Sequence, residues 1–472
     1  MIDAAYMDEE SGDRWHTSDF SKALRFYQSA FEWYSKAIEH SNEVSQMERI
    51  ECHYNALRLL LLVYNQYTGS DCLDLSQLAS VPEVLQAGSN CVLQEIDAIV
   101  AAHENAISIS GNDASNDLLY NSAMVYLDVI ENLENDPQAT ALAASKASTL
   151  FKQVFSNQVQ EFQDSLNMTS QQIESPDNES VKTSAIRVTE IIETAISYLK
   201  LFRIYTDDDL DNLDLSVVED LTSSLNEADN ALTKILSAAH LSDDNNEIRE
   251  HLDEYILAAE YFKNSGKDIE LAIKSWESPT LPDSAERYML AADSIQSILE
   301  RQKLNTSSGG VSQPDLYWTA LCKMNQYLKN AQELLQSLSQ KKKSARIDQT
   351  IGLGNIILQM CSVYIARADI DLQRSLLNYP EAQKHKDLLG RNAVAFLKNA
   401  LTLSKQTGGI RETALEKLQR EKRRQEAQIR LFIIEGKSQT EISSSLNSIL
   451  AQQEYEICSD CWYYKMIQQG QA

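Results

Sequence analysis

The sequence predicts an all-α protein, an elongated α-solenoid of antiparallel helical hairpins. Three observations predict it. Fourteen glycines and seven prolines in 472 residues amount to about 4 % of the chain, against roughly 12 % in an average protein. Sheets spend these residues on tight turns, so their scarcity argues for long helices joined briefly. Apolar residues recur at spacings of three and four along nearly the whole chain, the period of a one-sided helix. The polar segments between are short, so consecutive helices must lie antiparallel. Such a hairpin cannot close a core alone; it stacks on the next, which produces an array with a concave face.

The elements follow in order. Over 19–40, Ala23, Tyr27, Ala30, Tyr34 and Ala37 line one face, with Lys22, Arg25, Gln28, Glu32 and Lys36 on the others. The expected partner of that face is the next helix, 43–67, apolar at Leu57, Leu60, Leu61 and Tyr64. The same period places helices over 83–107 and 113–133. Pro137 opens a helix over 137–170 and Pro380 one over 380–406, at the first turn, where a missing N–H costs nothing. Helices over 179–205, 212–240 and 245–277 come between, the last broken near Gly266. Capping-box sequences, Asp283-Ser-Ala-Glu286 and Ser438-Gln-Thr-Glu441, open helices over 283–303 and 438–467. Helices over 314–339, 343–377 and 410–435 complete the chain. MTSQQIESPDNES, Met168–Ser180, reads as a long disordered connection.

One local pattern returns: Ala, a large apolar residue four later, then Ala or another apolar residue three after that. It occurs at Ala23/Tyr27/Ala30, Ala147/Phe151/Val154 and Ala393/Leu397/Ala400, with a degenerate form at Ala320/Met324/Tyr327. In these residues the chain resembles tetratricopeptide-repeat proteins, whose second helix carries Ala-x3-Phe-x2-Ala. The match is partial. The first-helix pattern is missing before Asp19, and Pro is absent after most of the candidates. The resemblance implies a tetratricopeptide-like array that binds other proteins.

Charge divides the chain. Residues 1–308 hold 20 Lys/Arg and 53 Asp/Glu, a net of −33, whereas residues 309–472 hold 22 and 16, a net of +6. The sign changes at LNTSSGGVSQ, Leu304–Gln313. The expected organisation is therefore an acidic helical-repeat array over 1–308 and a more basic section over 309–472 that continues or caps it. An acidic body of this strength repels nucleic acid and anionic membranes and attracts basic polypeptides. The start, MIDAAYMDEESGD, has no apolar core, so no secretory or organellar signal is expected there. The apolar run Leu59–Tyr64 is far short of the roughly 20 residues of a membrane span. Seven scattered cysteines suit reduced thiols in cytoplasm or nucleus.

Motifs of catalysis and ligand binding fail on inspection. IRLFIIEGKS, Ile429–Ser438, carries Leu431 where a phosphate-binding loop needs its first glycine. It reads instead as a helix end at Gly436 and a cap at Ser438. Cys458 and Cys461 in CSDC have zinc spacing but no second pair of ligands, so they are expected to be structural thiols. No histidine pair has metal spacing, no nucleophile motif occurs, and His53 reads as a packed or partly exposed helix residue. No catalytic residue, metal or cofactor is expected.

Two charge clusters remain. TDDDLDNLDLSVVED, Thr206–Asp220, lacks the central glycine of a calcium loop. It reads as a helix start with acids at the positive end of the dipole, or as a docking site for a Lys/Arg-rich segment through Asp207, Asp208, Asp209 and Asp211. RETALEKLQREKRRQEAQIR carries Arg420, Arg423 and Arg424 among glutamates; pairs Glu416–Arg420 and Glu426–Arg430 are favoured, and Glu412 and Glu416 repel. With Lys341–Arg346 it offers a basic surface. The expected function is a non-catalytic scaffold or adaptor subunit that binds proteins through a helical-repeat groove. The alternatives are an escort of a very basic client, such as a ribosomal protein or histone, and a nucleic-acid-associated factor acting through the C-terminal section.

Overall fold

The computed structural model describes residues 1–40, 46–69, 75, 78–132, 136–172, 187–207, 213–238, 246–304, 313–344, 352–409, 412–446, 455–456, 458 and 461–468. The described residues are helical almost throughout and contain no strand. They divide into two compact units, Met1–His16 with Phe20–Phe262, and Thr17–Asp19 with Lys263–Ala472. Residues 305–312, in the segment where the charge changes sign, lie outside the described residues, as do 173–180 of Met168–Ser180. Moving the division from 308 to 262 hardly alters the charge contrast. Residues 1–262 hold 14 Lys/Arg and 46 Asp/Glu, a net of −32. Charge alone therefore does not choose between the two boundaries.

Unit 1 begins with α1 (Ile2–His16), α2 (Phe20–Glu39) and α3 (Gln46–Val63). The stripe expected on α2 is buried in full: Ala23, Tyr27, Ala30 and Tyr34 are sealed and Ala37 nearly so. Its partner differs from expectation. The stripe packs on α1 as well as α3, and α1 was not anticipated as a helix. The reason lies in the buried face of α1, which is Ala5, Glu9 and Gly12, so it carries no apolar period. Gly12 admits the Tyr27 ring, since a β-carbon there would stand 2.4 Å from it. The Tyr27 and Tyr34 hydroxyls donate to Asp13 (2.8 Å) and Glu9 (2.9 Å).

The expected helix over 83–107 is two, α4 (Val81–Leu85) and α5 (Ile96–Ser110). Gln28 of α2 breaks it. Its side chain donates to the Asn90 carbonyl (2.8 Å) and accepts from the Val92 N–H (2.9 Å), holding the intervening segment out of the helix. Next come α6 (Asn116–Asn132), α7 (Pro137–Gln172), α8 (Val188–Asp207), α9 (Leu215–Ala238) and α10 (Asn246–Asn264). Helices α5 to α9 pack in sequence order. One core joins α6 to α10, centred on Phe151, Tyr198, Leu201 and Leu232.

Unit 2 contains α11 (Ile269–Trp276), α12 (Ala285–Leu304), α13 (Pro314–Ser344), α14 (Leu353–Leu376), α15 (Pro380–Leu403), α16 (Ala414–Ile434), α17 (Gln439–Leu446) and α18 (Trp462–Gln468). The break near Gly266 separates α10 from α11 as the sequence predicts. Successive helices from α11 to α16 again pack on their neighbours. The same order in both units makes this an all-α, helical-repeat architecture. The box at Ser438 forms, with Ser438 N–H on Glu441 at 2.8 Å. At 283–286 the cap moves one residue, to Ser284, whose hydroxyl accepts from the Arg287 N–H at 3.1 Å. Arg287, buried, donates to the carbonyls of Trp276, Ser278 and Leu281, which ties the α11–α12 turn to the start of α12. Among the described residues no helix is long and apolar enough to cross a membrane.

Candidate interaction surfaces

In unit 1, α7 and α9 converge over α8 but do not close on each other along their full length. Small side chains cause the gap: Ser156 on α7, and Ser224, Ala228 and Ala231 on α9, leave a groove of about 280 Å³. Its floor is Phe155, Tyr198 and Ala228, all buried; Val159 and Ala231 are half-buried on its walls and Ser156 and Gln160 exposed at its lip. Tyr198 is fixed from below, stacked on Phe151 at 5.6 Å and sharing a 2.8 Å hydrogen bond with Ser148. Burial pushes its hydroxyl pKa up, so at neutral pH it is a phenol. Lys152 reaches across from α7 to Glu227 (3.7 Å) and Ser224 (3.4 Å) on α9. Both partners of that ion pair are more than half exposed, so it adds little stability and yields readily to another charged group. The groove is a concave, partly apolar surface framed by charge, suited to receiving a side chain or helix face from another molecule.

Unit 2 offers a different surface, in which charge is consumed internally. Glu412 pairs with Arg420, which also donates to the Gln406 carbonyl at 2.5 Å. Arg423 holds Glu426 (2.7 Å), Arg374 holds Asp371 (2.9 Å) and Arg430 holds Asp369 (3.3 Å). Tyr464 of α18 donates to Asp369 at 2.7 Å. Asp371 is 1 % exposed, and this burial raises its carboxyl pKa against the opposing pull of Arg374. Arg374 lies over the Trp318 ring at 4.6 Å and Arg367 over Phe396 at 4.3 Å. This ladder runs along α14 and α16, and Arg430–Asp369 is a rung between them.

Of the acidic candidates, one lies among the described residues. Asp207 is the last residue of α8; Asp208, Asp209 and Asp211 lie outside the described residues. Asp214 caps α9 through the Ser216 N–H (2.9 Å) and hydroxyl (2.6 Å), and those donors hold its carboxyl below the ordinary range. The basic candidates share α16, and each guanidinium meets a carboxylate: Arg420 with Glu412, Arg423 with Glu426, Arg424 with Glu421 (2.7 Å). Glu412 and Glu416 do different work. Glu416 forms a capping box with Thr413, so Arg420 turns to Glu412 instead. Gly436 adopts a left-handed conformation, φ +76°, just past α16, and Ser438 caps α17, as the sequence reading of GKS requires. Cys458 is fully buried and Cys461 partly so. The groove residues of α7 and α9 had no place among the sequence candidates. A usable signal existed in Ser148, Lys152, Phe155 and Val159, a second row one residue beyond Ala147, Phe151 and Val154.

Residues 280–466 match the model of a family described as the YNL193W C-terminal domain, which falls within unit 2. Over its length the chain is similar to the "Uncharacterized protein YNL193W" of Saccharomyces cerevisiae (strain ATCC 204508 / S288c). The two are 23 % identical over 495 residues, covering 90 % of this chain and 88 % of the yeast protein. Among solved structures, a designed circular tandem repeat protein is 11 % identical and covers 99 % of this chain and 94 % of its own, with a TM-score of 0.23.

Proposed function

We propose that the protein is a non-catalytic interaction subunit, an adaptor or scaffold of tetratricopeptide-like character that binds protein partners through a groove between its helices. It would act in the cytoplasm or nucleus. The observation that carries this reading is the α7–α9 groove. Its apolar floor is held rigidly by the packed Phe151–Tyr198 pair, and a weak, exposed ion pair spans it. A second reading, escort of a very basic client, draws on the net charge of −32 over residues 1–262. Both readings make unit 1 the recruiting part. The test is affinity purification of the full chain with cross-linking mass spectrometry. A stoichiometric protein partner cross-linked to Lys152 is expected. Recovery of the chain alone, or of partners cross-linked only to unit 2, overturns the reading.

A further inference from the structure

The α9 side of the groove is acidic, and this gives its occupant a chemistry. Asp220 and Glu227 are seven residues apart on α9, so about 10 Å separates them along the helix axis. Both point toward α7: Asp220 lies 3.4 Å from the Ser148 hydroxyl and Glu227 3.7 Å from Lys152. Between them lies Ser224, and beside Glu227 the apolar floor opens at Ala228. The α7 side opposes these carboxylates with Lys152, while Ser148, Ser156 and Gln160 are neutral. Two carboxylates two turns apart, the second at the edge of the apolar recess, match a helix that carries two basic residues two turns apart and a bulky apolar residue just beyond one of them.

We infer that the groove takes a basic amphipathic helix from a protein partner, its apolar residue seated against Phe155, Val159 and Ala228 and its lysines or arginines on Asp220 and Glu227. This inference rests on the adaptor reading and names the class of partner. Lys152 occupies the place of the incoming cation at Glu227 and is displaced by it. The field of the surrounding residues 1–262, with their net −32, favours the encounter and lets salt weaken it.

The test uses the full chain and a labelled synthetic peptide with leucine at i, i+3, i+4 and i+7 and lysine on its other faces. A peptide of the same pattern with glutamate for lysine serves as the opposite probe. Anisotropy titrations should show the lysine peptide binding and the glutamate peptide failing to bind. Ala228→Trp, which fills the recess, should weaken binding about tenfold or more. Ser156→Trp obstructs the lip from an exposed position and should do the same with the melting temperature unchanged, which keeps the test valid if the buried variant misfolds. The double variant Asp220→Lys, Glu227→Lys should abolish binding, whereas Lys152→Gln should strengthen it by removing the competing cation. Equal binding of the lysine peptide to the wild type and to Ser156→Trp overturns the inference, because attraction to the acidic surface at large would then suffice. Tighter binding of the glutamate peptide overturns it equally. Neither result touches the adaptor reading, which stands or falls on the isolated partner.

Discussion

The two units settle their carboxylates differently. Residues 1–262 carry 46 acids against 14 Lys/Arg, whereas residues 263–472 carry 23 against 28. With few guanidinium groups available, unit 1 leans on phenols, although Glu9 also meets Arg58 and Glu104 also meets Lys146. Tyr27 donates to Asp13, Tyr34 to Glu9, Tyr126 to Glu104 (2.6 Å), Tyr255 to Asp229 (2.5 Å) and Tyr6 to Glu51 (3.1 Å). Unit 2 uses phenols too, at Tyr288 and Tyr464, but its buried acids Asp371, Glu412 and Glu426 each face an arginine. A phenol satisfies a carboxylate's hydrogen bonding without cancelling its charge. Unit 1 thereby packs tightly and keeps a strong negative field; unit 2 packs tightly and is nearly neutral. Burial first, and then the nearby acid, drives these tyrosine pKa values upward, that of Tyr126 to about 12, so the phenol donors stay protonated at physiological pH.

The comparison breaks most visibly when an arginine is removed from each unit. In unit 2, Arg420→Met strands Glu412, whose side chain is 1 % exposed, and should cost about 3–5 kcal/mol. In unit 1, Arg58→Met leaves Glu9 with the Tyr34 donor, so the loss should be smaller, about 1–3 kcal/mol. Urea unfolding of both variants measures the difference. An equal loss would mean that phenols do not substitute for guanidinium groups here. Adding Glu412→Gln to the first variant should recover much of its loss, because the uncompensated charge is gone.

The phenol pattern requires close helix approach, and Gly12 tests that. An exposed helical Gly→Ala change stabilises by up to about 1 kcal/mol. Here the new β-carbon would meet the Tyr27 ring at 2.4 Å, so Gly12→Ala should instead destabilise by roughly 1–3 kcal/mol and disturb the Tyr27–Asp13 bond. A raised melting temperature would show that α1 is loosely attached.

How legible these features were depends on where their partners lie. The Ala23–Ala37 stripe, the helix starts at Pro137 and Pro380 and the break near Gly266 depend on residues close in sequence, and the sequence displays them. Helix α1 is not legible in the sequence because Glu9 is buried only by virtue of Tyr34 and Arg58, far along the chain. The break before α5 is not legible either, because Gln28 imposes it from α2. The groove was hidden for a third reason: Ser148, Lys152, Ser156 and Gln160 have the composition of a solvated face. Only the arrival of α9 turns that face into one wall of a recess. The basic run 411–430 suggested a cationic surface, since sequence shows the sign of each charge but not which carboxylate it meets.

Unit 1 also holds a carboxylate that neither solution reaches. Asp128 on α6 has a buried Oδ2 without a hydrogen-bond partner. Burial, reinforced by Glu131, pushes its pKa up to about 6, against roughly 3.9 in an unfolded chain. The folded state thus binds the proton more tightly, and this residue's contribution to stability falls as pH rises from about 4 to 6 and stays lost above. Asp128→Asn should remove that slope and stabilise the protein at pH 7 by about 3 kcal/mol, with little effect at pH 4. Denaturant unfolding of both proteins across this range checks it; a destabilised variant at pH 7 would mean that Lys200 or Asn65 compensates the charge fully.

The smallest effect bears directly on the field that unit 1 retains. Raising ionic strength to a physiological level shrinks the Debye length to about 8 Å. In unit 1 this screens repulsion among carboxylates that no cation neutralises. In unit 2 the ladder is buried and little screened, and only exposed pairs such as Arg424–Glu421 weaken slightly. Salt should therefore stabilise unit 1 by a few tenths to about 1 kcal/mol and leave unit 2 unchanged or marginally weaker. Hydrogen–deuterium exchange followed by mass spectrometry resolves the two units in a single experiment. The amides of α6 to α9 should gain protection with added chloride while those of α14 to α16 do not. The Lys152–Glu227 pair opposes the trend within unit 1, since screening loosens it, so the turns of α7 and α9 around the groove should gain least. Uniform protection across both units would show that the acids of unit 1 are locally compensated, and the charge asymmetry would lose its role in selecting a basic partner.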